Sequence, residues 1–170
     1  MAAGGATVRN RIEAHLGSRD VTCVLYGSIV GLAVVVALEA HPPGAGQTVA
    51  ALAGTALAVG LAELYSEVVG EEARTRRRVG SLRLREFAGE AVAVAFGAGF
   101  PAVFFVAAAT GLLDIDTAFT LSKWSGVGLI VAYGLAGARL AGSGWSRAVL
   151  QALAVGAIGI FLIVLKALVH

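Results

Sequence analysis

Cysteine, proline, methionine and charge are all scarce in this 170-residue chain. One cysteine, Cys23, excludes an intramolecular disulfide and any CxxC chemistry. Only three prolines interrupt the chain, and Met1 is its one methionine. Charged residues make up 14% and hydrophobic residues 58%, where a soluble domain has about 25% and about 45–50%. A soluble globular enzyme, a disordered tail and a disulfide scaffold are therefore excluded. There is no glycine-rich phosphate loop with an adjoining lysine and no HExxH. His15, His41 and His170 are scattered, so no Ser-His-Asp system assembles. The chain is not expected to be an enzyme, and no permanently bound cofactor is expected.

What is present is apolar sequence in long runs. Charge-free stretches cover residues 21–38, 48–62, 91–113, 124–138 and 148–165. A hydrocarbon layer about 30 Å thick needs roughly 20 helical residues, and backbone groups in lipid must bond internally. The runs do not alternate as barrel strands would. The expected fold is all-α: a membrane bundle of five transmembrane helices over about 21–39, 47–70, 87–112, 117–140 and 146–169. Residues 1–20 carry Arg9, Arg11, Glu13, Arg19 and Asp20 but no apolar core of a signal peptide. Val8, Ile12 and Leu16 recur at helical spacing among these charges, which predicts a short amphipathic interfacial helix.

The formal net charge of +2 hides an asymmetry. Arginines 9, 11 and 19 precede the first span. Arginines 74, 76, 77, 78, 83 and 85 lie between the second and third, and Arg139 and Arg147 between the fourth and fifth. The alternate connections carry only Lys123 and Lys166. The positive-inside rule then places the N-terminus in the cytoplasm and the C-terminus outside a bacterial-type inner membrane. Beside two spans, the basic stretch Arg74, Arg76, Arg77, Arg78 points to topology and to contact with anionic lipid or a membrane-protein partner, not to nucleic acid.

Gly27 and Gly31 are four apart, a spacing that permits close helix approach. Pro101 should kink the third span. Asp116 is placed to cap the fourth. Trp124 and Trp145 fall at its opposite ends, where interfacial indoles belong.

Glu63, Glu67 and Glu71 recur every four residues and share one helix face, and Glu86 and Glu90 repeat that spacing at the start of the third span. The second span begins near Gln47, so Glu63 should sit about one turn inside the cytoplasmic edge of the hydrocarbon. A short connection makes the two helices antiparallel neighbours, and the five carboxylates could converge. One reading is a metal site, since carboxylates suit Fe²⁺ and Mn²⁺ and ionisable groups within spans are costly unless they function. The other is a set of structural ion pairs with the adjacent arginines and Arg139. Tyr65 and Ser66 are placed to donate hydrogen bonds to Glu63.

The segments Tyr26-Gly27-Ser28-Ile29-Val30-Gly31-Leu32 and Ala62-Glu63-Leu64-Tyr65-Ser66-Glu67 resemble the first- and second-span motifs of the vacuolar iron transporter family. Val30 stands where that family has an intramembrane aspartate, the family's second-span methionine is missing, and the 2–3 connection is too short for its cytoplasmic metal-binding domain. The resemblance implies a divergent member, a homodimer with membrane lipids around it, and transport of iron or manganese, with or without coupling to protons. The alternative expectation is a non-transporting small membrane subunit or scaffold.

Overall fold

The computed structural model describes residues 18–169. The amphipathic segment expected before the first span falls largely outside these residues, as does His170. Among the described residues the helices are α1 (Ser18–Leu38), α2 (Ala45–Thr75), α3 (Ser81–Gly99), α4 (Ala102–Ala109), α5 (Ile115–Leu140) and α6 (Trp145–Val169). No strand occurs among the described residues. The all-helical class read from the apolar runs is what forms.

Each helix ends for a local reason. After Leu38 the Pro42-Pro43 pair lacks the backbone donors a helix needs. Arg76 closes α2 in the left-handed conformation (φ 54°, ψ 31°), and its N–H still reaches the carbonyl of Glu72. At the start of α5 the cap is Asp114, not Asp116. The Asp114 carboxylate accepts from the Thr117 backbone N–H at 2.8 Å and from the Thr117 hydroxyl at 2.6 Å. These bonds, the hydroxyl first, hold the Asp114 carboxyl below the usual carboxylate range. The helix therefore begins two residues earlier than expected, and Asp116 occupies its first turn.

The expected kink is present. α3 and α4 meet at 50°, around Pro101, which cannot donate back into the preceding turn. The break is supported from outside: the buried Ser122 hydroxyl of α5 donates to the Pro101 carbonyl at 3.3 Å.

α1 lies at the centre and packs against α2, α3, α5 and α6. It runs parallel to α3 with almost no side chain between them. A Cβ at Gly97 would fall 2.7 Å from the Ser28 nitrogen, and one at Gly31 would fall 2.5 Å from the Ala98 oxygen. Gly27 meets the Val94 carbonyl in the same way. The Gly27/Gly31 spacing thus does what it suggested: backbones touch, and dispersion replaces the hydrophobic drive that lipid cannot supply. α2 lies antiparallel to α3, with Gly60 against Ala91 and Ala95. α5 and α6 form the opposite flank, where Gly134 meets Ala152 and Gly156 meets Val131.

Two apolar clusters fill the interior. One joins Val35, Leu52, Ala118, Phe105 and Phe119, the two rings meeting edge-on at 4.8 Å. The other joins Leu32, Val36, Val127 and Ile130. Large apolar side chains are also on the outside, among them Leu57, Leu61, Val92, Val103, Leu150 and Leu153. In water that surface would be an aggregation liability; in lipid it is the expected outer face. Among the described residues, Asp20–Leu38 and Ala45–Thr75 are long and apolar enough to cross a membrane, and α3 with α4 makes a third if the bent pair is one crossing.

Candidate carboxylate and arginine site

The site begins with the face of α2. Thr48, Leu52, Ala56 and Gly60 are buried in steps of four, and Glu63, Glu67 and Glu71 continue the same stripe half-buried. The helical period carries a packing face into a carboxylate face without changing direction. Small residues stop where acids begin, because α2 there nears the end of the bundle formed with the α2–α3 turn.

The acids do not converge. Glu71 is held by Arg74 one turn further along α2. Glu86 pairs with Arg83 at 2.7 Å, both groups more than half exposed. Glu72 turns toward the connection and accepts the Val79 N–H at 3.2 Å. Glu90 is only 6% exposed. It lies one turn before Val94, whose carbonyl abuts Gly27 of α1, and its charge, like those of Glu86 and of Glu71 on α2, acts on the Arg83 guanidinium. Among the described residues no three His, Cys, Asp or Glu side chains gather closely enough to hold a metal ion. Within the expected five-carboxylate set, Glu71 and Glu86 each pair with an arginine three residues away on their own helix.

Glu63 differs from the others. It is half-buried, and no side-chain bond to it is formed among the described residues. The hydrogen bonds expected from its neighbours are not made. Ser66 donates to the Glu63 backbone carbonyl at 3.0 Å, and Tyr65 is 73% exposed on the outer face. Beside this stripe an apolar groove of about 240 Å³ separates α2 from α3, lined by Leu57, Leu61, Leu64, Ala88 and Val92. A larger groove of about 630 Å³ has Asp20 and Tyr133 among its lining, with Phe96 and Val92 of α3.

The arginines divide too. Arg74 and Arg83 are committed to carboxylates. Arg139, expected among the acids, instead stacks over Trp145 at 4.5 Å and donates to the Ser143 carbonyl. Arg76, Arg77, Arg78 and Arg85 are exposed and meet no carboxylate among the described residues.

One ionic contact had no sequence signal. Lys123 of α5 donates to Glu39, just beyond α1, at 2.6 Å across 84 residues. Nothing in the spacing of either residue marks the other.

No family model, curated protein or solved structure matches this chain.

Proposed function

We propose that the chain crosses a bacterial-type inner membrane five times, N-terminus inside, and moves divalent cations, iron or manganese, in exchange for protons. The passes would be α1, α2, the bent α3–α4 pair, α5 and α6. The one-sided distribution of arginine supports that orientation. The observation that carries the transport reading is Glu63: a half-buried carboxylate on the inward stripe of an apolar helix, one turn beyond Gly60, with no side-chain partner among the described residues. A carboxylate at that depth is costly unless it binds a cation or a proton. The resemblance to vacuolar iron transporters in residues 62–67 supports the same residue. Glu71 and Glu86, already neutralised, would contribute structure only. Glu67 and Glu90 remain as further ligands in this reading. The metal is cargo and not a resident cofactor. A homodimer belongs to the proposal, and crosslinking in membranes that yields monomer alone would remove it.

The test is Mn²⁺ and Fe²⁺ entry into proteoliposomes under a proton gradient. Gradient-dependent flux lost in folded Glu63→Gln would support the reading. Equal flux in wild type and variant would remove Glu63, and absence of flux from folded wild type would remove transport.

A second reading is a non-transporting membrane subunit or scaffold. It is favoured by Glu71 and Glu86 each being neutralised by an arginine of its own helix while four guanidinium groups stay exposed. It expects association with a membrane protein or anionic lipid to survive Glu63→Gln and to fail when residues 76–78 are neutralised.

A further inference from the structure

We propose that the α2–α3 turn is a binding site for the phosphate-bearing headgroup of an anionic membrane lipid, formed by Arg76, Arg77, Arg78 and Arg85. It rests on the membrane-spanning reading and deepens the second reading above by committing the arginines to a lipid headgroup; it is independent of transport.

Charge alone does not single out this turn; the way the charges are apportioned does. Of the six arginines between residues 74 and 85, Arg74 and Arg83 are each consumed by an acid on their own helix. The remaining four are exposed, with no carboxylate opposite them among the described residues. Glu71, Glu72 and Glu86 offset three of these six positive charges, and the surplus is concentrated at the consecutive Arg76, Arg77 and Arg78 on the connection, with Arg85 close by in α3. Self-repulsion of that kind is relieved by an anion, and guanidinium groups bind phosphate oxygens bidentately.

The connection is also held in shape. Arg76 takes the left-handed conformation and still donates to Glu72. The Glu72 carboxylate accepts from Val79 N–H, across the arginines. The Thr75 hydroxyl donates to the Glu71 carbonyl at 2.8 Å. These bonds fix residues 75–79 before any ligand arrives, so less ordering cost falls on binding.

The neighbouring apolar residues favour a lipid over a free anion. Leu82 is 77% exposed and Leu84 is 45% exposed, interleaved with Arg83 and Arg85 at the start of α3. Exposed leucines beside exposed arginines suit the boundary between acyl chains and headgroups, with the basic side chains reaching the phosphates. The turn continues at both ends into helices with apolar outer faces, so the site opens onto the surface that lipid would cover.

The experiment uses the full chain. Retention in carbonate-washed membranes first confirms that it is embedded. Purified protein is then titrated with phosphatidylglycerol and phosphatidylcholine, and bound lipid is read by native mass spectrometry. Wild type is expected to prefer phosphatidylglycerol, and Arg76→Gln/Arg77→Gln/Arg78→Gln to lose that preference by about tenfold or more. Arg74→Gln, whose charge is already spent on Glu71, should change it little. The wild-type preference should also weaken as salt rises from about 0.1 to about 0.5 M, a readout independent of whether the triple variant folds. Equal binding of both lipids by wild type, a salt-insensitive preference, or unchanged preference in a folded triple variant would each overturn the site. Release by carbonate would overturn the spanning reading, and this proposal with it.

Discussion

Lys123 and Glu39 form an ion pair at 2.6 Å that ties the middle helix to α5 at the end of the bundle away from the arginine turn. Their side chains are 19% and 28% exposed, so the pair is shielded but not dry. Such a contact gives modest net stability, yet removing one partner exposes the cost of the other charge. Glu39→Gln should lower the melting temperature in detergent, by an amount corresponding to about 1–2 kcal/mol. Glu39→Gln combined with Lys123→Met should recover part of that loss. A double variant no better than the single one would show that the pair contributes more than relief of an isolated charge.

The α1–α3 seam predicts a contrast between glycines. Gly97→Ala drives a Cβ against the Ser28 nitrogen, backbone that cannot rotate away, and should cost about 1–3 kcal/mol or more. Gly89→Ala on the same helix meets nothing within 4 Å and should be neutral or stabilising by up to about 1 kcal/mol. Thermal melts of the two variants, side by side, check this.

Support for the α3–α4 bend comes from one hydroxyl. Ser122→Ala removes the donor to the buried Pro101 carbonyl and should destabilise by about 1 kcal/mol. An unchanged melting temperature would mean the carbonyl finds another donor at no cost.

The Asp114 cap carries a pH dependence of known sign. Its carboxyl titrates lower in the folded chain than in the unfolded one, so its stabilisation is full above the unfolded value near pH 4. It is lost as pH falls through the folded value. Asp114→Asn keeps a capping acceptor but removes the proton linkage. Between about pH 5 and about pH 3 its melting temperature should fall less steeply than that of wild type.

Among the acids, the structure separates three substitutions that the four-residue spacing made equivalent. Under the transport proposal, Glu71→Gln and Glu86→Gln, which break pairs with Arg74 and Arg83, should leave cation flux near wild type. Glu63→Gln should abolish it. Equal losses in all three variants would count against a special role for Glu63.

The sequence by itself determined the class of structure. Charge-free apolar runs this long, without the alternation of barrel strands, satisfy their backbones in lipid as helices, and Pro101 removes a donor wherever the chain goes. Gly27 and Gly31 announce a close contact because glycine spacing on one helix sets its own groove. Asp114 and Asp116 showed the limit of local reading: either could cap α5, and a two-residue shift of the helix start chose between them. The tertiary structure alone decided which charges meet. Whether Glu71 faces Arg74 or a second helix, whether Arg139 reaches the acids or Trp145, and whether Lys123 finds Glu39 all depend on the rotation and height of one helix against another. Those are set by how small residues such as Gly27, Gly60 and Gly97 seat between backbones, a relation between distant segments that periodicity within a segment does not contain.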